Sequence, residues 1–196
     1  LHAGANVKVT RAAIVTVDGK TISPSSRYVS EQEQLKLLFD EPLDPRRVHH
    51  VTLDFSYPLA ESMRGFYRSS YRNSQNETHV LASTQFESTD ARRAFPCFDE
   101  PNMKSTFDFK FNVRRLRSEV ERAAREKDNF QVLFNTPLRQ GGYRRNYDGD
   151  DAVDTYAFET TPRMSTYLVA FVIGDLVKQT KLCLLYTSPS PRDGFT

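Results

Sequence analysis

Residues 84–106 read TQFESTDARRAFPCFDEPNMKST, a run of polar, charged and aromatic residues with no sustained helical or strand period. If residues 82–87 are extended, Gln85 and Glu87 leave one face about 7 Å apart, while Phe86 points into the layer behind. That pair offers one amide and one carboxylate to a common ligand, a combination suited to an ammonium group beside a carbonyl or side chain. Further on, Pro96 and Pro101 bracket Cys97, Phe98, Asp99 and Glu100, which predicts a fixed turn rather than a ladder. Composition alone favours a plainer reading. The polar pair is then a solvated strand face, and Asp90, Arg92, Arg93, Asp99 and Glu100 are an ion-pair network holding a long loop, anchored by Phe95 and Phe98.

The flanking text is strand-rich. Residues 51–57, VTLDFSY, place Val51, Leu53, Phe55 and Tyr57 on one face and Thr52, Asp54 and Ser56 on the other, as a half-buried antiparallel strand does. Residues 107–113, FDFKFNV, alternate still more strongly. Residues 7–17 alternate loosely and break at Asp18-Gly19, a hairpin signal. Residues 33–39 carry Leu35, Leu37 and Phe39 on one side, and 65–71 read as a core strand next to a turn.

Residues 114–128 change period. Leu116, Val120, Ala123 and Ala124 lie on one helical stripe, and good helix formers fill the rest. An arginine-rich helix raises nucleic-acid binding, but Glu119, Glu121, Glu126 and Asp128 interleave with the arginines, so a solvated, ion-paired surface is the simpler account. Residues 140–154, rich in Gly and Asp, read as a loop. Its DGDDAVD lacks the oxygen ligands and closing glutamate of a calcium loop. The sheet resumes at 156–160, and the apolar run 167–173 predicts a strand covered on both faces.

At 196 residues and a net charge of +2, the chain is of single-domain size and its charge selects no partner. It has no run of about twenty apolar residues to span a membrane. No basic, apolar and small-residue leader opens it, and its start at Leu1 reads as beginning mid-protein. The two cysteines, Cys97 and Cys183, make no disulfide framework, and Cys97 reads as a buried, unreactive thiol. Asn76-Glu77-Thr78 is a glycosylation acceptor if the protein enters the secretory route, and it tilts localisation slightly that way.

The segment 84–106 resembles the signature of the N-terminal domain of zinc aminopeptidases of the aminopeptidase N type, in which TQF/M-E/Q-x-T-x-A-R precedes F-P-C-F-D-E-P. GFYRSSY at 65–71, FNTPL at 134–138 and TPRMSTYLVAFVIGDL at 161–176 fall in the same family's order. The resemblance implies an all-β fold, an antiparallel β-sandwich, here with one inserted helix. It would occupy residues 1–180 and be incomplete at both ends. Residues 181–196 have no strand or helix period and resemble a translated sequencing-library adapter. With end strands missing, the chain is expected to expose unpaired edges and self-associate.

The resemblance also implies a division of labour. The family works through His-Glu-x-x-His on a helix, a downstream glutamate and a Gly-x-Met-Glu-Asn exopeptidase motif. The four histidines here, His2, His49, His50 and His79, lack that spacing, and the second motif is missing too. Zinc is therefore expected in the parent enzyme and not in this chain, which should be inactive alone. Glu87 is implied to pair with the terminal ammonium of a peptide substrate and Gln85 to touch its first residue, while Asp90, Arg92, Asp99 and Glu100 act as scaffold. The implied partners are the peptide N-terminus and a catalytic domain of the same chain, with neither nucleic acid nor membrane contacted by this segment. The alternative is a non-catalytic scaffold or binding module of the same fold.

Overall fold

Phe107, Phe109, Phe111 and Val113 are each half-buried while Asp108, Lys110 and Asn112 are exposed, so the alternation legible in 107–113 is the one the chain adopts. The structure, a computed structural model, describes residues 1–16, 19–73, 75–126 and 129–176. Asp18 of the predicted hairpin, Cys183 and the adapter-like tail lie outside the described residues.

Twelve strands and one α-helix follow in chain order among the described residues. They are β1 (Lys8–Val15), β2 (Thr21–Ile22), β3 (Ser25–Val29), β4 (Gln34–Leu38), β5 (His50–Ser56), β6 (Gly65–Arg72) and β7 (Thr78–Gln85). Then come β8 (Lys110–Leu116), α1 (Arg117–Glu126), β9 (Phe130–Phe134), β10 (Leu138–Asp148), β11 (Asp151–Phe158) and β12 (Phe171–Asp175). They form sheets in the orders β2-β1-β5, β10-β11-β8 and β6-β7-β12-β9, with β3-β4 as a separate hairpin. Every strand pair is antiparallel.

Phenylalanines join the two central sheets. Phe171 of β12 meets Phe111 of β8 at 5.0 Å between ring centroids, Phe109 at 5.7 Å and Phe66 of β6 at 4.8 Å. Phe134 of β9 meets Phe158 of β11 at 5.4 Å. Tilted and edge-on contacts of this kind add about 0.5–1.5 kcal/mol per pair beyond the area they bury. The β-sandwich implied by the sequence is therefore present, with β6-β7-β12-β9 packed on β10-β11-β8.

Several expectations need correction. Residues 140–154 are not a loop but most of the β10–β11 hairpin, closed at Gly149 with φ 58° and paired from Leu138↔Phe158 to Asp148↔Asp151. Their acidic and basic text reads as loop because neutralisation is invisible along the sequence. Asp154 is 0% exposed, yet it takes Arg145 Nε at 2.5 Å, Arg145 Nη2 at 2.8 Å, Arg115 Nη2 at 2.9 Å and Tyr143 Oη at 3.1 Å. Burial opposes its charge, but these hydrogen bonds prevail and hold its pKa below the usual carboxylate range.

The helix also begins later than its period suggests. Arg114, Arg115 and Leu116 stay in β8, laddered against Val153, Ala152 and Asp151, with the Arg115 guanidinium 4.1 Å from the centroid of the Phe130 ring. Of the expected stripe only Val120 is buried; Ala123 is half-buried, while Leu116 and Ala124 are exposed. On the outer face Arg117 pairs with Glu121 at 2.8 Å, as interleaved charges predict.

In 167–173 the strand starts only at Phe171. A 3-10 turn spans Thr166–Leu168, with Thr166 Oγ1 tied to Asp99 and the Ala170 amide donating to Asn135 Oδ1. The apolar face of β5, an edge strand paired with β1 alone, is only partly covered, Val51 being 47% and Phe55 40% exposed.

Two outcomes test this core. Phe171→Ala should cost about 3–5 kcal/mol by denaturant titration, as for a central aromatic cavity. Asp154→Asn should cost about 3–5 kcal/mol near neutral pH, since it strips the counter-charge from a buried cluster. Because the folded pKa of Asp154 is depressed, its contribution is present above the unfolded value of about 3.9 and disappears as pH falls through the folded value. The variant's stability deficit should therefore shrink in acid.

Candidate functional site

The ladder of β7 ends at Gln85, opposite Gly65 of β6. Gly65 has φ +73°, and a Cβ there would lie 2.8 Å from Arg93 Cβ, so only glycine lets the strand end approach the following turn. Beyond Gln85 the ring of Phe86 is buried, edge-on to Phe95 at 5.9 Å and to Phe171 at 6.2 Å between centroids. Gln85 and Glu87, on either side of it, are both exposed. Glu87 opens a turn through Asp90, closed by Asp90 N–H donating to Phe86 O at 2.9 Å, and the Glu87–Ser88 peptide is cis. Neither the Gln85 amide nor the Glu87 carboxylate has a side-chain hydrogen bond or ion pair among the described residues.

The neighbouring carboxylates are in the opposite state. Asp90 is buried and accepts from Arg64 Nε and Nη2, each at 3.0 Å, and from Arg93 Nε at 2.8 Å. Burial disfavours its charged form, but the guanidinium hydrogen bonds outweigh that and lower its pKa. Asp99, 1% exposed, accepts from Arg92 Nε at 3.0 Å, the Arg92 amide at 3.2 Å and Thr166 Oγ1 at 2.7 Å. Glu33 reaches both arginines, 3.7 Å from Arg92 and 3.2 Å from Arg93. The plain reading of this loop as an ion-pair network is thus correct for Asp90, Arg92, Arg93 and Asp99. Arg64, Glu33 and Thr166 complete it from distant parts of the chain, and only their charge or hydroxyl marked them in sequence.

Phe98 does not anchor the loop. It is 54% exposed and lines an apolar groove of about 540 Å³ with Leu1, Val51, Leu53, Met103 and Phe107, because buried Asp99 beside it takes the inward position. Nor is the proline-bracketed segment all turn. Cys97 makes a two-bond bridge with His2, at 2.7 and 3.0 Å, before the turn at Glu100–Met103. Burial pushes the Cys97 thiol up to about 12, so it stays protonated and inert near neutral pH. Exposed Glu100 lies 3.7 Å from His2.

Residues 3–168 match the Peptidase M1 N-terminal domain. The chain belongs to that family. It is similar to endoplasmic reticulum aminopeptidase 1 of Homo sapiens, 35% identical over 180 residues, which are 90% of this chain and 17% of that protein. It is also similar to puromycin-sensitive aminopeptidase of Caenorhabditis elegans, 36% identical over 170 residues, 86% of this chain and 16% of that protein. Aminopeptidase N of Bos taurus is 38% identical over 143 residues, 73% of this chain and 13% of that protein. The chain spans at most 17% of the length of these curated relatives. Among the described residues of this M1 N-terminal domain, no three His, Cys, Asp or Glu side chains come together as a metal-binding group. The zinc that the resemblance implies is one of the parent enzyme, and it would need such a group.

Asp99→Asn should destabilise the fold by about 3–5 kcal/mol in thermal or denaturant unfolding, because it leaves the largely buried Arg92 with only the more distant Glu33 as counter-charge. A cost below about 1 kcal/mol would remove Asp99 as the support of the turn.

Proposed function

We propose that this domain supplies the part of an aminopeptidase that binds a peptide's free amino end, with Glu87 pairing the terminal ammonium and Gln85 touching the first residue. One observation carries the reading. Next to buried Asp90 and Asp99, both neutralised by arginines, Glu87 and Gln85 are exposed and have no side-chain partner among the described residues. Phe86 between them is locked in the core, so the two groups sit on a rigid mount rather than a swinging loop.

A fixed anion in a cleft selects a chain end. A terminal ammonium satisfies it, whereas an internal peptide would desolvate Glu87 without a counter-charge. Gln85 adds a group that can both donate and accept, able to meet a carbonyl or side chain of the first residue. Cleavage belongs, on this reading, to a zinc-bearing catalytic part of the parent protein outside this sequence. When bound there, zinc supplies an activated water; the residues described here bind and orient.

The test is Glu87→Gln in the complete parent enzyme. Loss of a charge-assisted hydrogen bond of about 1.5–3 kcal/mol should lower kcat/KM for free-amine peptides roughly ten- to hundred-fold, with little change in melting temperature. Unchanged kinetics would refute the amine-anchor role.

A further inference from the structure

The same β6–β7 hairpin that presents Gln85 at its open end carries a second feature at its tip. Asn73, Gln75 and Glu77 pin the tip: Asn73 N–H donates to Glu77 O at 3.0 Å, and Asn73 Oδ1 accepts from the amides of Gln75 and Glu77, each at 2.9 Å. Asn76 stands on this pinned loop in the left-handed region, with φ 64°. Asn76, Glu77 and Thr78 are all exposed. Arg72 Nη1 donates to Asn76 Oδ1 at 2.9 Å, and the amide nitrogen Nδ2 has no partner among the described residues.

Asn76-Glu77-Thr78 is the only Asn-x-Ser/Thr triplet in the 196 residues. Such a triplet is an acceptor for N-linked glycan provided the middle residue is not proline, and the finished glycan needs an asparagine whose side chain reaches solvent in the fold. The tip meets both conditions. Glu77 satisfies the middle position, Asn76 is exposed, and its Nδ2 is unengaged among the described residues.

We propose that Asn76 is an N-glycosylation site, taking an oligosaccharide from a lipid-pyrophosphate donor. The Asn76 amide nitrogen forms the bond to the anomeric carbon, and the bond from that carbon to the donor's pyrophosphate oxygen breaks. The amide proton passes to the transferase's base, and the lipid pyrophosphate leaves. Strand β7 runs from Thr78 to Gln85, roughly 23 Å at a rise of ~3.3 Å per residue, and Asn76 lies beyond its Thr78 end. A glycan at the tip is thus carried at the opposite end of the hairpin from the candidate site and does not obstruct it.

The test translates the full chain behind a secretory leader in the presence of microsomes, then treats it with peptide N-glycosidase. One glycan-sized mobility step, removed by the glycosidase and mapped to Asn76 by mass spectrometry, is the expected result. Thr78→Ser should keep the step, whereas Thr78→Val and Asn76→Gln should each abolish it. An unshifted wild-type chain beside a control acceptor glycosylated in the same reaction overturns the proposal. A step that survives Asn76→Gln does so equally.

Discussion

The pairing of buried Asp99 and Asp90 with Arg92, Arg93 and Arg64 is the constraint on which the arrangement of the candidate site rests. A carboxylate removed from water is costly unless charge and hydrogen bonds replace its solvation, and each of these receives at least three donors. Those donors come from the β5–β6 connection, the turn itself and the segment before β12, so the ion pairs tie three stretches of chain to one point. The strand end at Gln85 then has little freedom, because Gly65 and Phe86 are packed against the same turn.

Burial and neutralisation divide the acidic residues of this region into two kinds. Asp90, Asp99 and, in the neighbouring sheet, Asp154 use their charge internally, and their partners are short-range and numerous. Glu87 makes no side-chain hydrogen bond or ion pair among the described residues, and it is on this difference that the proposed amine-anchor role rests. A contrast of exposure also separates half-buried Cys97, kept protonated, from the exposed Phe98 next to it.

The aromatic core explains why the site can be rigid in a domain made of several small sheets. Phe171 touches rings from both central sheets and from the turn, so sheet packing and turn position are one cooperative unit. Away from it cohesion falls. Val51 and Phe98 leave apolar surface around a groove that neither Gln85 nor Glu87 lines.

Local alternation determined β5, the 107–113 register and the burial of Phe86 between two exposed polar residues, because a period of two is a property of neighbours in sequence. The segment 84–106 likewise sufficed to single out Gln85 and Glu87 and to suspect an ion-paired loop. Sequence failed where the deciding partner was remote. Residues 140–154 became a hairpin because Arg115 neutralises Asp154; β8 ran on to Leu116 because β11 lay beside it. Strand β12 started late because Thr166 was claimed by Asp99, and Phe98 turned outward because that carboxylate took the interior. Periodicity reports which side of an element a residue occupies, whereas the cost of burying a charge depends on what the rest of the chain brings to it, and that was decided only by tertiary structure.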